Sequence, residues 1–75
     1  MTAENIKKYI DKSINPILRR DGIYIIFVRL ENEKTAVVQI RGTVISEEAK
    51  QLLLTLGIER TLQKRFPDCV VREGN

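Results

Sequence analysis

The 75-residue chain predicts an α+β fold of two layers, α-β-β-α-β in order, with helices on one face of a three-stranded sheet. Three observations predict it. Ile6, Tyr9, Ile10, Ile14 and Ile17 recur at helical spacing, with Lys7, Lys8, Asp11 and Lys12 opposite. Two β-branched stretches, IYIIFVRL and TAVVQIR, are separated only by the polar ENEK. A second helical pattern behind Ser46 ends at Pro67 and is followed by a short apolar DCVVR.

Each element has its own signal. Thr2 can cap a helix that starts at Ala3. Pro16 lacks an N–H and crowds the preceding turn, so the helix kinks there or restarts with Asn15 as a cap. Asp21-Gly22 ends it, glycine suiting a left-handed stop. Strands one and two, joined by ENEK, read as an antiparallel hairpin. In the second strand Ala36, Val38 and Ile40 share the face expected to be buried, and Val37, Gln39 and Arg41 the other. Ser46 caps helix two, and Glu47 and Glu48 suit the positive end of its dipole. That helix is expected to reach about Phe66, because the residue before a proline avoids the helical region. A crossover through it can bring the third strand parallel to the second, although adjacency is not readable here. No linker or internal repeat interrupts the pattern, so residues 1–75 are expected to form a single domain.

A chain this short is marginal alone and usually needs a staple. One cysteine, Cys69, excludes an intrachain disulfide, and with no histidine a Cys/His zinc site is excluded too. A partner or a second copy is the expected staple. Lys plus Arg number 13 against 10 Asp plus Glu, a formal charge of +3. The basic residues are dispersed and aromatics few, which reads as a solvated face rather than a nucleic-acid stripe. IYIIFV is too short to span a bilayer, and MTAENIKKYIDK has no apolar stretch of signal length. With one thiol, the expected compartment is the cytoplasm, away from membranes.

Chemistry is sparse. Glu47 and Glu48 are adjacent and diverge on a helix, and Ser46 has no histidine base. RGTVIS lacks the second glycine and lysine of a P-loop. Cys69 reads as a buried small hydrophobe, since neighbouring Asp68 would raise a thiol's pKa. No set of residues can be given enzymatic roles, and neither an enzyme nor a cofactor is expected.

INPILRRDG, a hairpin, IRG, a short loop, a helix containing LGIERTLQKRFP and a final strand together resemble the NifU C-terminal domain, the Nfu family of iron–sulfur scaffolds. The resemblance runs from Ile6 to Arg72 and implies that family's fold. Members place Cys-x-x-Cys in the loop after the glycine that stands here as Gly42, and paired domains hold a cluster between those sulfurs. Ungapped, Val44 and Glu47 occupy the two cysteine positions. Clusters need thiolates, so the resemblance implies a degenerate site with no ligand role inherited. Ile23, Tyr24 and Ile26 also stand where the family is small or polar, and Leu53 and Leu56 where threonine and asparagine are common.

The residues alone lead to a related expectation. Strand one is apolar on both faces, with Ile23, Ile25 and Phe27 on one and Tyr24, Ile26 and Val28 on the other. Helix two carries Leu54, Ile58, Leu62 and Phe66 on one stripe, and Ala49, Leu53 and Leu56 away from it. Tyr24, Ile26, Val28, Leu53 and Leu56 are therefore candidate interface residues, because an exposed patch of several hundred Å² usually marks one. The expected function is a non-catalytic, cluster-free NifU-like module. It would bind itself as a homodimer, or an iron–sulfur assembly or acceptor protein. Two rivals stay open: a structural or regulatory interaction protein on a borrowed fold unrelated to iron, and a small nucleic-acid binder using Lys7, Lys8, Lys12, Arg19 and Arg20.

Overall fold

A computed structural model describes residues 1–43 and 45–75. The element order is the expected one, with two helices over a mixed three-stranded sheet. Helix α1, residues 3–21, is α-helical over Ala3–Tyr9, widens into a π-turn over Ile10–Ile14, returns to α over Asn15–Leu18 and tightens into a 3₁₀ turn over Arg19–Asp21. The hydroxyl of Thr2 accepts from the Asn5 N–H at 3.2 Å. Gly22 closes the helix in the left-handed region at φ 75°.

The π-turn is how α1 accommodates Pro16. The Asn15 N–H reaches back to the Ile10 carbonyl, five residues away, and the proline comes immediately after. A wider turn absorbs a missing donor that a straight α-helix cannot. The extra residue also shifts the phase of the last two turns of the helix. Ile6, Ile10 and Ile14 are buried, but Ile17, expected on the same face, is 60% exposed while Leu18 packs on the core.

Strand β1, Ile23–Glu31, pairs antiparallel with β2, Thr35–Gly42, and β2 pairs parallel with β3, Val70–Glu73. Asn32 and Glu33 both have positive φ in the hairpin turn, the type I′ pattern whose twist matches the strands it joins. The register between β1 and β2 slips by one residue between Phe27 and Arg29. Val28 is thus the extra residue of a bulge, half-buried rather than aligned with Tyr24 and Ile26. The third strand begins at Val70 rather than Asp68, because its first ladder bond, from the Val70 N–H to the Lys34 carbonyl, lies just before β2 starts.

Helix α2, residues 47–63, is α-helical over Glu47–Leu52, π-helical over Leu53–Glu59 and α-helical over Arg60–Gln63. Ser46 caps it by accepting from the Ala49 N–H at 3.1 Å. The Thr55 hydroxyl donates to the Gln51 carbonyl at 2.8 Å, competing with the helical ladder where the turn widens. The helix stops at Gln63, short of Phe66, through tight bonds from Lys64 to Thr61 and from Arg65 to Leu62. Phe66 remains in the apolar stripe and meets Tyr9 edge-on, the rings 6.0 Å apart. The Tyr9 hydroxyl contacts the Thr61 carbonyl, and Ile17 and Leu18 share a hollow with Leu53 and Gly57, so the helices run antiparallel.

The core lies between the layers: Ile6, Ile10 and Ile14 from α1, Ile25, Ala36, Val38 and Val71 from the sheet, Leu54, Ile58 and Leu62 from α2, and Cys69. Burial of each large apolar side chain contributes roughly 1.5–3 kcal/mol. Val37, expected on the open face, is also fully buried. The C-terminal segment covers it, Gly74 and Arg72 lying against its side.

Side chains from both helices seal both borders of the sheet. Asn15 is 5% exposed and no cap. Its amide oxygen accepts from the Ile25 N–H at 2.8 Å and its amide nitrogen donates to the Ile25 carbonyl at 3.0 Å, as a neighbouring strand would. On the far border the Val71 N–H donates to the Glu59 carboxylate at 2.9 Å, and the Gln63 amide donates to the Cys69 carbonyl at 3.0 Å. Unpaired edges invite pairing with another chain, and these are closed at Ile25 near the start of β1 and at Cys69 and Val71 around the start of β3.

Candidate functional site

The loop after β2 opens with a crossing of two glycines. Gly42 has φ 107°, and a Cβ there would lie 2.1 Å from the Gly22 carbonyl oxygen. The Thr43 N–H donates to that oxygen at 2.9 Å. Both positions favour glycine, one for helix termination and one for close approach. The loop then reaches the start of α2. Ile40, Arg41, Gly42, Thr43, Ile45 and Lys50 line a shallow hollow beside it. Glu47, the first residue of α2, extends into solvent and pairs with Lys50 at 3.6 Å. Val44 lies outside the described residues.

A family model described as "NifU-like domain" matches residues 6–72. The chain belongs to the NifU-like domain family. No curated protein matches it. NifU-like domains are scaffolds and carriers rather than catalysts, and they work with other proteins in iron–sulfur cluster assembly, which relates this chain to that process. Among the described residues no helix is long and apolar enough to cross a membrane.

As cargo, an iron–sulfur cluster calls for thiolate ligands. This NifU-like chain has one cysteine and no histidine. Among the described residues no three of His, Cys, Asp and Glu gather as a metal site. Cys69 is fully buried in the core. It precedes β3 at the end of the sheet where β2 begins, whereas the loop leaves from the other end of β2. Seven residue-to-residue steps of strand carry the chain from Thr35 to Gly42, about 23 Å at ~3.3 Å per residue. Burial pushes the Cys69 thiol pKa up, a backbone bond from Ala36 opposes this, and the Glu59 carboxylate adds to the rise. The donor set does not fit the cargo.

The candidate interface residues fall on two sides of the molecule. Tyr24 and Ile26 are exposed on the open face of the sheet, opposite Arg41 and Gln39 in register. The Arg19 guanidinium sits 5.7 Å from the Tyr24 ring centre, a cation–π distance. Val28 is half-buried at the bulge further along β1 and out of their alternation. Leu53 and Leu56 belong to the helix layer, Leu53 half-buried against the core and Leu56 54% exposed. No single patch joins the five. Sequence reasoning missed Ile17, which joins Leu52 and Leu56 as a bare apolar residue of that layer. Pro16 was the signal for it, since a proline that widens its turn rotates the residues after it.

On the open face Glu31 accepts from both Arg72 and Arg29, with Arg72 Nη2 at 2.8 Å from one oxygen and Arg29 Nε at 2.8 Å from the other. Arg72 first and Arg29 second hold the Glu31 carboxyl below the ordinary carboxylate range. This cluster bridges the edge strands across Val37 and is structural in its contacts.

Proposed function

We propose that residues 1–75 form one NifU-like domain that carries no cluster and acts as a protein-binding module within iron–sulfur assembly. The observation that carries this reading is the position of the only thiol, fully buried and far from the loop where the family binds its cargo. The retained glycine crossing and the bare Tyr24, Ile26, Ile17 and Leu56 support it. The loop keeps its shape at the glycine crossing, and the bare apolar residues on the sheet face and the helix layer serve contact with a second copy or with an assembly or acceptor protein. An uncrosslinked thiol suits the reducing cytoplasm.

Anaerobic reconstitution with iron and sulfide tests the loss of cargo. The expected result is no retained cluster after desalting, and a stoichiometric cluster would overturn the reading. Light-scattering mass over a concentration series tests self-association, with Tyr24→Ser and Leu56→Ser as probes. Leu56 is the cleaner probe on the helices, since Leu53 packs on the core. A dimer that separates in one variant locates its surface. A protein that stays monomeric and shifts no NMR signal with any assembly or acceptor protein would end the binding-module reading.

A further inference from the structure

Along the outer side of the helix layer, the seam between α1 and α2 holds two adjoining hollows that share Ser13. The first, about 140 Å³, is apolar and includes Ile17, Leu53 and Gly57. The second, about 220 Å³, sets Lys12 and Arg65 beside Phe66. Among the described residues no carboxylate lines either hollow. Lys8, also at the second hollow, pairs with Glu4 at 3.4 Å, whereas Lys12 and Arg65 make no ion pair among the described residues. The seam is therefore greasy at one end and positively charged at the other. From Lys8 to Ile17 it runs along α1 for about 14 Å at ~1.5 Å per residue, some two to three helical turns.

We propose that this seam takes an acidic amphipathic segment of a partner protein, with its apolar side chains over Ile17, Leu53 and Gly57 and its carboxylates against Lys12 and Arg65. The proposal rests on the protein-binding reading above and names the partner's chemistry. Charge decides the occupant. A second copy docked seam to seam would turn Lys12 and Arg65 onto an apolar hollow with no carboxylate to meet them, and an uncompensated charge is costly to bury. An acidic segment supplies the missing sign, and a helix laid in a groove between two helices is a recurring mode of peptide recognition.

The test is a titration of the ¹⁵N-labelled chain with a synthetic peptide of about 15 residues, leucines at helical spacing along one face and glutamates flanking them. Signals of Ser13, Ile17, Gly57 and Arg65 are expected to shift together, while those of Tyr24 and Ile26 stay still. Lys12→Glu with Arg65→Glu should weaken binding by roughly tenfold or more, as should a peptide with lysine in place of glutamate. Both residues are exposed, and circular dichroism checks that the double variant is folded. Gly57→Ala adds a methyl group to a residue lining the first hollow and should also weaken binding, while the fold tolerates it, since the new Cβ would meet only the far end of Leu53 at 3.2 Å. No saturable shift, shifts on the sheet face, indifference to charge reversal, or displacement of the peptide by an oligonucleotide would each overturn the assignment. Concentration-dependent shifts at the seam without peptide would give it to a second copy, and overturn it too. Cluster retention in the reconstitution assay would instead strike the underlying reading, so the two failures are distinguishable.

Discussion

Replacing Asn15 by alanine removes both partners of Ile25 at once. The amide bonds of 2.8 and 3.0 Å are lost, and the Ile25 N–H and carbonyl are left on a border that α1 screens from water. A buried polar group without a partner costs about 1–3 kcal/mol. Two such groups set a range of about 2–6 kcal/mol, and water entering at a sheet edge favours the lower half, about 3 kcal/mol. A chain of 75 residues is stable by roughly 4–11 kcal/mol, so the loss is a large share of the total. At about 4–8 °C per kcal/mol, the melting temperature should fall by about 12–24 °C. Thermal and urea unfolding followed by circular dichroism measure this, and hydrogen exchange at the Ile25 amide should accelerate beyond the global change. A fall of less than about 4 °C, with Ile25 exchange unchanged, would refute the idea that Asn15 stands in for a neighbouring strand.

Other outcomes are expected on the same footing. Gly42→Ala forces a Cβ into the Gly22 carbonyl oxygen at a φ of 107° and should cost at least about 2 kcal/mol by urea titration. Glu33→Gly relieves a left-handed φ of 61° and should stabilise by roughly 0.5–1 kcal/mol in the same assay. Cys69 should react with a thiol reagent at least about a hundredfold more slowly in the native chain than in urea, because access requires opening of the core. Its raised folded-state pKa adds a contribution that is complete below the unfolded thiol's value and is lost as pH rises through the folded one, so Cys69→Ala should flatten the alkaline decline of the unfolding midpoint. For Glu31 the sign is opposite. Its depressed pKa gives a contribution present above the unfolded carboxylate value and lost as pH falls through the folded one, so the penalty of Glu31→Gln should be seen at neutral pH and fade in acid.

The frame was legible because its signals are local. Thr2 and Ser46 announce helix starts through their own hydroxyls, Gly22 announces a stop, and ENEK between two β-branched runs announces a hairpin. The features that escaped depend on partners distant in sequence or on small changes of phase. Asn15 beside Pro16 looks like a cap, and only the approach of Ile25 makes it a border seal. The π-turn before Pro16 sends Ile17 outward against its periodicity, and the bulge at Val28 breaks an alternation that strand composition alone cannot reveal. Val37 is buried by residues that fold back from the far end of the chain. At the candidate site, the absence of cysteine from the loop after Gly42 was plain in the sequence, and the motifs INPILRRDG, IRG and LGIERTLQKRFP carried the family likeness that gives that absence its meaning. The seam was half legible: Leu53 and Leu56 were visible as surplus, but the pairing of an apolar hollow with Lys12 and Arg65 needed the antiparallel packing of the two helices.

The glycine crossing beneath the loop has an evolutionary consequence. Backbone atoms of Gly22, Gly42 and Thr43 make it, with the Thr43 hydroxyl donating to the Gly22 carbonyl, and no sulfur takes part. A lineage can therefore shed its cargo ligands by drift while the scaffold above and below the loop keeps its outline. Such a lineage can take up a new trade on an inherited architecture without passing through an unfolded ancestor.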